Sequence, residues 1–447
     1  MLVETLDVGP NTAGEHGETP LFWAALEGHE GVVKVLLQRE DVNPNTANED
    51  GTTPLSIAAW NGHEGVVKML LERLDVDPNT ADEDGQTPLF GATCHGHEGV
   101  VKVLLELKDV NPNTASKSGS TPLSRAACEG HAGVVKMLME RLDVDPNAAG
   151  EDGGTPLLWA ARDGHEGVVK VLLGRNDTDP NTASKDGTTP LSTAAWEGHE
   201  GVVKMLLQRL DVDPNTADED CETPLFGAAH EGHEGVVKML LERSDVDPNT
   251  ADKDGETPLF RAALEGHEGV VKVLLERNDT DPNTASKDGT TPLSTAACEG
   301  HAGVVRMLLQ RLDVDPNIAD EYGQTPLFGA AHEGHEGVVK MLLERLDVNP
   351  NTADEDGQTP LFWAASDGYE GVVQTLLGRV DVNTDIADLA GETALSQALK
   401  NGHHAIIKLL SKRKNSIPLS DSHKSTLPSS PKPPGPDQRP FKRIRRF

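Results

Sequence analysis

The sequence predicts an all-α solenoid, a stack of about twelve helix–turn–helix units followed by a basic tail. Three observations predict it. Thr19 recurs as Thr53, Thr87, Thr121, Thr155, Thr189, Thr223, Thr257, Thr291, Thr325, Thr359 and Thr393, always 34 residues apart with no insertion or deletion. A period of roughly 20–50 residues marks stacked supersecondary units rather than one central core. Aromatic residues make up only 3% of the chain, too few for several independent globular cores, whereas thin layers can be built from Ala, Val and Leu. Within each period the apolar residues fall at i, i+3 and i+4, the spacing of one face of a helix.

Residues 81–114, ADEDGQTPLFGATCHGHEGVVKVLLELKDVNPNT, show the elements in order. The polar run ADEDG reads as a tight turn in which Gly85 takes a left-handed backbone conformation. Thr87 offers an N-cap oxygen, and Pro88 sits at the first helical position, where its missing N–H costs nothing. A short first helix follows through Leu89, Phe90, Ala92 and Thr93. Most copies have a second alanine at that last position, as in Ala58-Ala59, which lets neighbouring helices approach closely. Gly96 ends the first helix and His97 opens the second. Val100, Val101, Val103, Leu104 and Leu105 give the second helix a broad apolar stripe that one unit alone cannot bury. The segment typified by DVDPNTA returns the chain to the next turn. Stacked at a helix spacing of ~8–10 Å, twelve units span about 100–120 Å.

The repeated G-x-TPL-x-x-AA-x-x-GH-x-x-VV-x-x-LL pattern resembles the ankyrin repeat over nearly all of residues 1–411. Two departures are systematic. Phe or Ser (Phe22, Ser56, Phe90, Ser124) stands where that family commonly has His after TPL. The unit is also one residue longer than the common form, most simply in the return loop. The combination is most similar to the near-identical ankyrin arrays of filamentous fungi, some of which form the sensor part of receptor-like signalling ATPases. The resemblance implies a non-catalytic protein-binding scaffold, with the GH histidine closing the turn between helices.

Met1–Val8 aligns with Met69–Val76, so the chain is expected to start within a second helix and to be the C-terminal part of a longer protein. The array is expected to occupy 1–411, its last unit (about 381–411) serving as a cap through Ala394, Lys400, Asn401, Lys408 and Ser411. Residues 412–447 read as a disordered Pro/Ser-rich tail. That tail closes on Lys442, Arg443, Arg445 and Arg446, which resemble a nuclear-targeting patch.

The net charge of −33 hides two opposed parts. Residues 412–447 hold ten Lys/Arg against Asp421 and Asp437, a net +8, leaving −41 on the body. So acidic an array is poorly suited to a nucleic-acid backbone and would steer basic protein partners instead. No stretch approaches 18 consecutive apolar residues, and MLVETLDVGP has no secretory pattern. Cys94, Cys128 and Cys298 occupy one repeat position, so the first two lie about 10 Å apart, too far for a disulfide. A reduced, intracellular, monomeric array, cytoplasmic or nuclear, is expected.

There is no phosphate-binding loop, nucleophile elbow or zinc signature, so neither an enzyme, a cofactor nor a metal is expected. His230 and His233, like His332 and His335, stand in HEGH, not HExxH. Cys221 replaces the turn glycine, at a cost of about 1 kcal/mol if that position is left-handed, and it predicts local softness without special chemistry. Tyr369 replaces the GH histidine.

The candidate contact residues are those that vary on the constant framework. The position after the Ala pair, which the resemblance places on the concave surface, carries Leu26, Trp60, Cys128, Arg162, Trp196, His230, Leu264, Cys298 and His332. Large aromatics and Arg most often anchor interfaces. The position before the pair carries Trp23, Arg125, Trp159, Arg261 and Trp363, secondary candidates whose tryptophans are expected to serve chiefly as packing. The finger position before TPL (Thr52, Gln86, Ser120, Gly154, Thr188, Glu256) is expected to line the same edge. Three readings follow: a protein-binding scaffold; the sensor part of a larger signalling protein; a nuclear regulator targeted by its tail. Residues 175–208 and 277–310 match at 31 of 34 positions and lie 102 apart. The array therefore grew partly by copying blocks of three, with Trp196 against Cys298 among the few differences.

Overall fold

Thr-Pro starts each of the first helices but the last in the same way. Thr87 Oγ1 accepts a hydrogen bond from Phe90 N at 3.3 Å, Pro88 fills the first turn, and the helix runs Pro88–Cys94. Gly96 then turns the chain with φ +70°, and the second helix runs Glu98–Leu105. The computed structural model describes residues 9–416, and side chains through Arg413. Within that range the unit repeats as 24 helices, from Pro20–Leu26 to His404–Ser416. The only β-type pairing among the described residues is the single bridge between Ala387 and Thr393. Met1–Val8, expected to complete a second helix, lies outside the described residues, as does the basic patch at Lys442–Arg446. The final helix continues to Ser416, past the boundary expected at Ser411.

First helices pack on first helices of the next unit, second on second, and each pair on its own partner, so the core is one continuous two-layer sheet of helices. The side chains that fill it are small or branched: Leu89, Ala92, Val100, Val101 and Leu104 are at most 1% exposed, and their counterparts recur along the array. Burying a Val or Leu side chain contributes about 1.5–3 kcal/mol, so each inter-unit layer is held by several such terms. The last unit is polar at Lys400 and Asn401, both exposed, yet it also leaves Leu399 58% and Leu389 79% exposed.

Hydrogen bonds fix the register between layers in three places. In the fingers, Glu83 N donates to Asp50 O at 2.9 Å and Lys117 N to Asp84 O at 2.8 Å, and the rung recurs down the stack. In the return loops, Asn79 Nδ2 donates to Asp109 O at 2.8 Å while Asn79 Oδ1 accepts from Asn111 N at 2.9 Å. One amide thus satisfies a donor and an acceptor of the next unit. Between the helices, the GH histidine does something other than expected. His63 Nε2 bonds Leu26 O of the preceding unit at 2.9 Å, and His233 Nε2 bonds Trp196 O at 2.8 Å. The turn within a unit is closed by the backbone, His97 N to Ala92 O at 3.0 Å, so the ring is an inter-unit tie. The preceding glycine makes room for it: a Cβ on Gly62 would lie 2.5 Å from His97 Nδ1.

A further tie recurs at the start of the return loop. Arg141 Nε donates to Asp143 Oδ1 at 2.9 Å, and its Nη1 reaches Leu105 O of the preceding unit at 3.3 Å. Half-exposed, this pair adds little as an ion pair, but it caps a carbonyl at the end of the neighbouring second helix. Tyr369 occupies the GH site with its ring where Gly334 leaves space. It lacks the imidazole nitrogen that the other units use.

Cys221 adopts φ +64°, the only non-glycine with positive φ among the described residues. A β-carbon in that region costs roughly 1–2 kcal/mol. Cys221→Gly is therefore expected to slow hydrogen exchange at the Lys253 amide, which bonds Asp220 O beside the strained residue, by about fivefold for each kcal/mol regained. Unchanged exchange there would show that the finger absorbs the strain at no cost.

Candidate functional site

The variable position after the Ala pair ends each first helix, and the position before the pair in the next unit packs directly against it. The two are 31 residues apart in sequence, as for Trp60 and Gly91 or Trp196 and Gly227. A Cβ on Gly91 would meet Trp60 Cε3 at 3.2 Å, and one on Gly227 would meet Trp196 Cε3 at 2.8 Å. The two tryptophans after the pair therefore pack against glycines of the following unit. Trp60 is 38% exposed and also contacts His95, ring centroids 4.4 Å apart. Trp196 is half-buried and meets His230 edge-on at 5.1 Å.

The remaining candidates continue this row. Leu26, Cys128, Arg162, His230, Cys298 and His332 are each half-buried. Leu264 departs from the expected contact role, being only 7% exposed. Arg162 stacks on Trp159, its Cζ 4.3 Å from the ring centroid, and donates from Nε to Asp163 Oδ1 at 3.0 Å. His332 packs edge-on against Trp363 at 4.6 Å. Cys128 Sγ lies 3.6 Å from Asp163 Oδ2. Burial, with the neighbouring Asp163, pushes the Cys128 thiol up, and burial with nearby carboxylates pushes Cys298 up to about 12.

Of the secondary candidates, Trp159 and Trp363 are half-buried, in keeping with packing. Trp159 lies across the finger at Gly154, where a Cβ would come within 2.6 Å of the indole. Trp23 does not fit the packing expectation: it is 50% exposed, because among the described residues no preceding first helix covers it. Arg125 donates from Nε to Cys94 Sγ at 3.4 Å.

Arg261 organises an electrostatic cluster that sequence reading missed. Its Nε lies 2.6 Å from Glu256 Oε2 and its Nη2 3.8 Å from Asp252 Oδ2, although the closer contact is not aligned as a hydrogen bond. Its Cζ sits over the Phe226 ring at 5.7 Å. Burial, with Asp218 adding and Arg261 opposing, pushes Glu222 up to about 7. Burial likewise holds Glu256 up to about 7 against the pull of Arg261. Burial lowers His230, and the Arg261 charge lowers it further. The only sequence signal for this cluster is the pair of Glu residues before TPL, at 222 and 256, in successive fingers.

Finger and first-helix residues meet in a shallow depression of about 270 Å³. Trp196 and Gly227 line it from the helices, Asp218 and Glu222 from a finger, with Glu197 and Arg162 at its edge. Among the described residues no three His, Cys, Asp or Glu side chains converge as metal ligands. No helix there is long and apolar enough to cross a membrane. A separate apolar row runs along the return loops, where Leu74, Leu142, Leu210, Leu312 and Leu346 are each at least 90% exposed.

The glycines under the row make a direct test of this packing. A Cβ on Gly329 would meet Cys298 at an ordinary 3.4 Å, whereas one on Gly227 would collide with Trp196 at 2.8 Å. Gly329→Ala is expected to stabilise the array by up to about 1 kcal/mol through helix propensity, read as a later urea midpoint. Gly227→Ala is expected to give no such gain and to shift the emission of Trp196. Equal gains in both would mean that Trp196 does not rest on Gly227.

A family comparison agrees with this architecture. A family model described as ankyrin repeats (3 copies) matches residues 1–82, 74–149, 142–218, 210–286, 278–354 and 346–421. No curated protein matches the chain. With matched segments running unbroken from residue 1 to 421, on units that fold as paired helices with a finger and a return loop, the chain belongs to the ankyrin-repeat family.

Proposed function

We propose that the chain is a non-enzymatic scaffold that recognises a protein partner across the face made by its first helices and fingers, the concave face of an ankyrin array. The observation that carries this reading is the division of labour within each unit. Thr, Leu, the Ala pair, Val and the GH histidine repeat almost unchanged and are consumed in packing or inter-unit ties. The positions flanking the Ala pair differ from unit to unit, and all but a few leave surface exposed. A Trp, Arg or His end exposed on a rigid support contributes contact area at low entropic cost.

Charge supports a basic partner. The body carries −41 against the tail's +8, and Asp218, Glu222, Asp252 and Glu256 lie on the finger side of the same face, with Arg261 as the cation at their centre. A monomeric array suits this reading, since one unbroken face then meets the partner. The sensor and nuclear-regulator readings rest on the two ends of the chain, beyond the described residues. No feature of residues 9–416 favours either over the scaffold.

Replacing both Trp60 and Trp196 by alanine is expected to weaken capture of the physiological partner by roughly tenfold or more, with thermal unfolding followed by circular dichroism nearly unchanged. Capture at full strength by the double variant would count against this face. Early unfolding would instead place both rings in the core.

A further inference from the structure

The depression at Trp196 has the chemistry of a slot for a cationic side chain. One wall is the indole, whose π-face attracts guanidinium and ammonium groups. The rim is acidic, with Glu197, Asp218 and Glu222 lining the same space. Asp218 Oδ1 already accepts the amides of Asp220 and Glu222, both at 2.9 Å. The only cation lining the slot, Arg162, is bound to Asp163 and lies on the ring of Trp159. Arg261, the other cation near Glu222, is held by Glu256 and Asp252. Glu222 is half-buried and makes no ion pair of its own: burial and Asp218 lift it to about 7, with the more distant Arg261 charge opposing.

The corresponding place at Trp60 lacks this rim. Its finger carries Gln86 where the Trp196 finger carries Glu222, and Leu26 where the other has Arg162. The array thus contains two tryptophans at the same repeat position, only one of them beside the half-buried carboxylate.

A complementary segment exists on this chain. FKRIRRF at 441–447 places four cations between two phenylalanines, a match in charge and in aromatic content to an indole rimmed by carboxylates. Reach decides between the two tryptophans. The 26 residues from Ser416 to Lys442 span at most about 90 Å. Trp196 lies in the sixth unit, six layers from the twelfth, or about 50–60 Å. Trp60, in the second unit, is ten layers away, about 80–100 Å, at or beyond the limit of the tether.

On the reading that this face is the recognition surface, we infer that residues 441–447 dock in the Trp196–Glu222 slot of their own chain and compete there with a basic partner. The segment acts as a tethered pseudo-ligand, so partners are admitted only when they outcompete it. Its local concentration exceeds that of a free peptide as long as the tether spans the gap.

The test is calorimetric titration of a synthetic peptide of residues 436–447 into two full-length chains. One is unaltered; the other carries Lys442→Glu, Arg443→Glu, Arg445→Glu and Arg446→Glu. The tail-substituted chain is expected to bind the peptide at least about tenfold more tightly, because its slot is vacated. Adding Glu222→Gln or Trp196→Ala to that chain is expected to abolish binding, and adding Trp60→Ala to leave it unchanged. Circular dichroism on each variant verifies the fold. Equal affinity of the two chains overturns docking of the tail, and absence of binding to the tail-substituted chain overturns the slot. Equal losses from Trp60→Ala and Trp196→Ala would show diffuse attraction to an acidic surface and overturn it as well. None of these failures touches the scaffold reading, which stands or falls on partner capture by the double tryptophan variant.

Discussion

Every layer of this array depends on one constraint, a constant offset between units. Finger rungs join residues 33 apart, the return-loop amide joins residues 30 and 32 apart, and the GH histidine joins residues 37 apart. These ties sit on different edges of the layer, so no single slip satisfies them all. A unit of 34 residues copied without insertion or deletion keeps all three in place down the array. Each hydrogen bond contributes only about 0.5–1.5 kcal/mol net. Together with buried Val and Leu they make each unit stable only through its neighbours, as expected of a quasi-one-dimensional array.

That constraint explains where variation is tolerated. A residue that serves two units, such as Asn79 or His63, cannot change without loosening an interface. A residue at the end of a first helix meets the following unit at the position 31 residues on, where the partner can be small or large. Trp196 against Gly227 and Cys298 against Gly329 show the exchange: the matching block three units later has the glycine but not the ring. The same economy places the cluster around Arg261, where successive fingers happen to carry Glu222 and Glu256.

The helices, their Thr-Pro starts and the left-handed glycine turns are legible in the sequence because each has a local cause that recurs in at least eleven of the twelve units. The left-handed backbone at Cys221 followed from its alignment with Gly85. Relations between units were harder to read. The family resemblance implies that the GH histidine closes its own turn, but its ring reaches back to the preceding unit, a contact that no pattern within one unit encodes. Trp23 shares its position with Trp159 and Trp363, yet it is exposed, because among the described residues no preceding first helix covers it. Leu264 shares its repeat position with Trp60, yet it is buried. The pairing of Trp60 with Gly91 and of Trp196 with Gly227 was present in the sequence as a large residue followed 31 positions later by glycine. It becomes a signal only once the offset between layers is known.

The claim that register, rather than the intrinsic stability of each unit, holds the array together can be tested by one insertion. A glycine placed between Asp213 and Pro214 would separate the amide that Asn181 Oδ1 accepts from Asn215, whose Nδ2 reaches Asp245 O. Urea unfolding of that variant, followed by hydrogen exchange, is the measurement. The Asp213 amide is expected to lose protection, and unfolding to separate into two steps, one for the units on each side. Retained protection at Asp213 with a single unshifted transition would contradict it.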